Sequence, residues 1–97
     1  SNVEILGKEE LQNWKVNNLP LKTFDVSVIL PESSQPELIS SIISSMGGVV
    51  SSEVKDVYHG RQIPEGFQSI TITYQVISPK TSKQVEELLI GFGGVIR

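Results

Sequence analysis

Asp56, Tyr58 and Ser69 have the side-chain types and the spacing to read a planar ligand whose edge carries hydrogen-bonding groups. Asp56 and Tyr58 are two residues apart in a run that reads as a strand, so they share one face and Val57 takes the other. Ser69 opens the next strand, in which Ile70, Ile72, Tyr74 and Val76 fall on one face and Ser69, Thr71, Thr73 and Gln75 on the other. With the isoleucines turned to a core, Ser69 points outward. The three side chains then converge where two antiparallel strands lie side by side. A phenol ring offers a stacking surface worth about 1–3 kcal/mol per base. A carboxylate and a hydroxyl can read a base edge, and guanine's two adjacent donors suit the carboxylate best. Each residue also has an ordinary role open to it: Asp56 as a solvated carboxylate before a turn, Tyr58 as cross-strand packing, Ser69 as the start of a strand.

The elements that must position these residues are legible from periodicity. Phe24, Val26, Val28 and Leu30 alternate with Asp25, Ser27 and Ile29, the pattern of a half-buried strand ending at Pro31. Ser34 and Glu37 have the spacing of a capping box, with Pro36 in the first turn, ahead of Leu38, Ile39, Ile42, Ile43 and Met46 at helical spacing. Gly47-Gly48 supplies a left-handed stop. Strands are expected over 49–58 and 67–77, joined by a loop that Gly60, Pro64 and Gly66 shape. Thr81 with Gln84 forms a second capping box before Val85, Leu88 and Leu89, and Gly91, Gly93 and Gly94 close that short helix before a last strand at 95–97. The order strand, helix, strand, strand, helix, strand predicts an α+β, ferredoxin-like split βαβ sandwich (βαββαβ). Its four-stranded antiparallel sheet carries two helices on one face and leaves the other open.

Composition narrows the chemistry. The 97 residues suffice for one domain, and 38% hydrophobic with 20% charged residues is ordinary for a globular chain. There is no cysteine, so disulfides and thiolate metal sites are excluded; His59 stands alone, without a metal-ligand partner at suitable spacing. No metal site and no catalytic residue is expected, since no nucleophile motif, nucleotide-binding glycine loop or histidine–nucleophile pair occurs. No apolar run approaches the roughly 20 residues of a membrane span, and the N-terminus lacks a signal-peptide pattern, which is compatible with a cytoplasmic location. The net charge of −3 comes without a basic stripe, so any affinity for RNA must come largely from elsewhere in a larger assembly.

The run from Asp56 to Ser69, D-V-Y-H-G-R-Q-I-P-E-G-F-Q-S, resembles the D-V-Y-x-G-x-x-I-P-E-G-x-x-S signature of the ferredoxin-fold anticodon-binding domain. That domain ends the beta subunit of bacterial-type phenylalanyl-tRNA synthetase, an aminoacyl-tRNA ligase of protein biosynthesis. The resemblance implies a domain over 22–97 after an N-terminal extension or linker over 1–21, whose Ser1-Asn2 has the look of a tag remnant. It implies a non-catalytic, tRNA-binding role in which Asp56, Tyr58 and Ser69 line the surface that holds the anticodon loop. Arg97 matches the Leu-Arg close of the family and would meet a phosphate or the chain terminus, while Lys55 and Arg61 are candidate phosphate contacts. The implied partners are the tRNA anticodon loop, the synthetase alpha subunit and the other beta-subunit domains. ATP, Mg²⁺ and phenylalanine are implied for the parent enzyme, with no cofactor in this domain.

The chain departs from the family pattern in three places. Lys22-Thr23-Phe24-Asp25 replaces the usual R-R-D, Lys55 stands where an aromatic is common unless the strand bulges there, and the span 81–97 is short. Residues 1–20 are expected to include a short helix over 9–15 and to fill area left bare by the short second helix, with Leu11 and Trp14 against the core. Deleting them would then lower the melting temperature by several degrees. The alternative reading is a stand-alone ferredoxin-like regulatory or protein-interaction module that pairs edge to edge, which the acidic balance and the Gly47-Gly48 turn permit.

Overall fold

Residues 7–18 and 20–97 are described by the structure, a computed structural model; the expectations for Ser1, Asn2, Ile5, Leu6 and Leu19 lie outside them. The elements run α1 (Lys8–Asn18), β1 (Lys22–Pro31), α2 (Pro36–Ser44), β2 (Val49–Tyr58), β3 (Phe67–Val76), α3 (Thr81–Gly91) and β4 (Val95–Ile96). The strands form one antiparallel sheet in the order β2-β3-β1-β4. This is the expected ferredoxin-like α+β sandwich, with α2 and α3 as its two covering helices.

The core lies between one sheet face and these helices. Val26, Val28 and Leu30 of β1 and Ile70, Ile72, Tyr74 and Val76 of β3 meet Ile39 and Ile43 of α2 and Val85 and Leu89 of α3. Burying each such side chain stabilises the fold by roughly 1.5–3 kcal/mol. Three turns of α3 are enough to bury Val85 and Leu89 completely, and Phe24, Met46, Val54, Leu88 and Ile96 pack around them. Leu11 and Trp14 of α1 are 41% and 50% exposed and lie outside the core cluster, against which the sequence reading set them.

Neither capping box forms, and each helix starts one residue away from the expected cap. Gln35 occupies the N-cap of α2 and makes no side-chain cap bond. Ser34 belongs instead to the preceding turn: its N–H donates to the Pro31 carbonyl at 2.9 Å and its own carbonyl accepts from Gln68 Nε2 at 3.0 Å. Thr81 is buried within the first turn of α3, with Lys80 at the N-cap. Its side chain packs on Gly48, whose φ of 89° is left-handed and where an added Cβ would come within 2.9 Å of Thr81 Oγ1. The glycine both turns the chain into β2 and makes room for α3.

β2 carries the departure that matters most for the site. Its pairing with β3 shifts between Val54 and Asp56, a β-bulge at Lys55. The lysine sits in the extra position, exposed, and is not driven into the core.

Tyr74 is 2% exposed and stacks on Phe24 at 5.8 Å between ring centroids. Burial, and secondarily the Glu86 charge, raises its phenol above the ordinary tyrosine value. The folded state therefore holds the proton more tightly than the unfolded chain. Its contribution is fully present below about pH 10, the unfolded tyrosine value, and is lost as pH rises toward the folded one. Denaturant titrations across this range should show native stability falling more steeply than that of Tyr74→Phe; equal slopes would exclude the effect.

Candidate nucleic-acid interface

Register with β3 decides which β2 side chains reach the open face. Directly paired residues of an antiparallel ladder project to the same side. Val54 pairs with Ile72 and Val57 with Ile70, both toward the helices, while Asp56 pairs with Thr71 and Tyr58 with Ser69. Strict alternation from Val54 would have set Asp56 opposite Ile70 and Tyr58 opposite Gln68. The extra residue, Lys55, reverses the parity and turns Asp56 and Tyr58 outward. The sequence carried a signal for this, since apolar Val54 and Val57 are three apart and no regular strand puts both on one face.

Across the sheet, Ser69 also pairs with Ile29 of β1, and Ile29 with Val95 of β4, giving the row Tyr58, Ser69, Ile29, Val95. The next row contains Asp56, Thr71 and Ser27, whose Thr71 and Ser27 hydroxyls are hydrogen-bonded at 2.8 Å. The Arg97 N–H donates to the Ser27 carbonyl at 2.9 Å, and its guanidinium reaches over to donate from Nη1 to Ser69 Oγ at 3.0 Å. Asp56, Tyr58, Ser69 and Arg97 are thus gathered at one end of the open face.

Ser69 does not stand clear of its neighbours as expected. It is only 2% exposed, because it lies in a central strand with Arg97 reaching over it. Its hydroxyl therefore orients a guanidinium, and the cation is the group offered outward. Tyr58 is 43% exposed. Its ring lies back over Gly60, where an added Cβ would come within 2.0 Å of the phenolic oxygen. Gly60 is not in the left-handed region, so its role in the loop is close approach and not the positive φ expected of it.

Phe67 was missed by the sequence reading. It has the parity of Ser69, two residues earlier in β3, and is 39% exposed, so Tyr58 and Phe67 are diagonal neighbours flanking Ser69. The same alternation that identified Ser69 was sufficient to find it. The other proposed phosphate contacts are not drawn into this group. Lys55 Nζ pairs with Glu53 Oε2 at 3.3 Å, and Arg61 is exposed in the loop after β2.

The two ends of the open face differ in charge. Toward the opposite end lies a polar groove of about 450 Å³ lined by Ser51, Glu53, Lys55, Thr73 and Gln75 among others. Asp25 accepts a hydrogen bond from Thr73 there, so two carboxylates face one ammonium. At the other end one carboxylate, Asp56, stands near one guanidinium, Arg97, beside the exposed rings. Among the described residues no group of three or more histidines or carboxylates could hold a metal ion, and no helix is long and apolar enough to cross a membrane.

Fold and site together define a small ferredoxin-like sandwich with an open sheet face that carries exposed aromatic rings, a carboxylate and a guanidinium at one end. No protein-family model matches the chain. It is similar to a probable arogenate/prephenate dehydrogenase of Methanocaldococcus jannaschii, 32% identical over 85 residues that cover 88% of this chain and 18% of the relative. It is also similar to a phenylalanine–tRNA ligase beta subunit of Clostridium acetobutylicum, 34% identical over 74 residues that cover 71% of this chain and 9% of the relative. The chain thus spans less than a fifth of either protein.

Removing Lys55 would restore regular alternation with the observed pairs kept: Asp56 still opposite Thr71, Val57 opposite Ile70 and Tyr58 opposite Ser69. Deletion of Lys55 should therefore leave the domain folded with Asp56 and Tyr58 still outward, and Lys55→Ala should stay within about 0.5 kcal/mol of native because an exposed ion pair contributes little. Denaturant melts check both, and unfolding on deletion would exclude this register.

Proposed function

We propose that this chain is a non-catalytic RNA-recognition domain that takes the anticodon loop of a tRNA on the open face of its sheet. The observation that carries the reading is the gathering of Asp56, Tyr58, Phe67 and the Ser69-held guanidinium of Arg97 at one end of that face. Tyr58 stacks an unpaired base, Asp56 accepts from a base edge, and Arg97 meets a phosphate. The resemblance of Asp56–Ser69 to the anticodon-binding signature and the match to a phenylalanine–tRNA ligase beta subunit support it. In this reading the domain acts in the cytoplasm as one part of a ligase, beside other beta-subunit domains and an alpha subunit. It holds no cofactor, ATP and Mg²⁺ being used at the parent enzyme's catalytic centre. With a net charge of −3 its own grip on RNA is weak, and it contributes position more than affinity.

A second reading is favoured by the dehydrogenase match, which covers more of this chain than the ligase match does. In it the domain is a regulatory module of an enzyme that handles aromatic amino-acid precursors, and its ligand is a small aromatic carboxylate. One titration separates the two. An anticodon stem-loop should bind the native chain, and Tyr58→Ala should weaken it about 5- to 150-fold, the equivalent of one stacked base. Equal affinity of both proteins for the stem-loop would remove the stacking role. A response to phenylalanine or prephenate with none to RNA would favour the second reading.

A further inference from the structure

We infer that Gly60 is a positioning residue for Tyr58: its bare main chain is the shelf on which the phenol ring rests, leaving one side of the ring for a single stacked base. The part of this concerning a base rests on the RNA-binding reading above; the part concerning the ring does not. A Cβ on residue 60 would lie 2.0 Å from Tyr58 Oη, 2.3 Å from Cζ and 2.8 Å from Cε1, so the ring and any side chain there cannot occupy the same space. Nothing in the backbone conformation of residue 60 itself calls for glycine, because its φ is outside the left-handed region. The ring is the reason.

The main chain at Gly60 has little freedom to retreat from an added methyl. Its carbonyl accepts the Ile63 N–H at 3.0 Å, and the Ile63 side chain is buried, which anchors the turn from within. Tyr58, by contrast, is at the end of an edge strand and largely open to solvent on its remaining side. The ring therefore swings away while the loop stays. In the native arrangement the ring is braced on one side before any ligand arrives. Its rotamer freedom is already spent, and a base loses less in stacking on it.

Three variants of the full chain test this: Gly60→Ala, Tyr58→Ala and the double substitution. Gly60→Ala should weaken binding of a labelled anticodon stem-loop roughly 2- to 12-fold, the cost of ordering one freed side chain. Its melting temperature should stay near the native value, and in the Tyr58→Ala background it should cause no further loss, since the two act as one unit. NMR spectra of Gly60→Ala should show the Tyr58 ring resonances shifted and the ring's cross-peaks to the residue 60 main chain lost. A fully additive loss in the double variant, or unchanged ring resonances, would overturn the inference. If the native chain fails to bind the stem-loop, the RNA-binding reading falls, and the ring resonances alone decide whether Gly60 holds Tyr58.

Discussion

The ladder between β1 and β3 is the constraint on which the rest of the molecule depends. It runs without interruption from Lys22 opposite Val76 to Pro31 opposite Phe67. Because side chains alternate with period two, this register alone commits Val26, Val28, Leu30, Ile70, Ile72 and Tyr74 to the helices and Ser27, Ile29, Ser69 and Thr71 to the open face. A slip by one residue would exchange the two sets, replacing a core of apolar side chains with hydroxyls. That penalty holds the register, and the site inherits its precision from the core on the other side of the same two strands.

β2 is attached to this ladder as an edge, and it is where the sequence breaks rank. Val54 and Val57 both face the helix side, Val54 packed on the core and Val57 at its exposed margin, from positions that a regular strand would send to opposite faces. The bulge at Lys55 reconciles them, and the outward parity of Asp56 and Tyr58 follows from that reconciliation. A bulged edge carrying an exposed Lys–Glu pair also resists pairing with another strand, which weighs against edge-to-edge association through β2. The opposite edge is β4, two residues long, tied to β1 and then by Arg97 to Ser69 on β3. One side chain thereby joins the last strand of the sheet to the chemistry of the site.

Charge gives the open face a direction. Asp25 and Glu53 with Lys55 occupy one end, and Asp56 with Arg97 the other, where Tyr58 and Phe67 are exposed. The difference is one of net charge, two carboxylates to one ammonium against one carboxylate to one guanidinium, and only the second end adds exposed rings.

By itself the sequence determined everything that depends on local periodicity: the strand faces of β1 and β3, the apolar stripes of α2 and α3, the order of elements and hence the ferredoxin-like sandwich. It also placed Asp56, Tyr58, Ser69 and Arg97 on one face, because parity along a strand follows from covalent geometry. Tertiary structure decided what depends on neighbours distant in the chain. Ser34 and Thr81 had the spacing of caps, yet α2 and α3 begin after Gln35 and Lys80, with Ser34 held in the preceding turn by Pro31 and Gln68 and Thr81 packed on Gly48. Ser69 faced the open side as expected but became buried beneath Arg97, a contact 28 residues long in sequence that no local pattern encodes. Gly60 could be read only as a loop residue until the Tyr58 ring was seen lying where its side chain would have been.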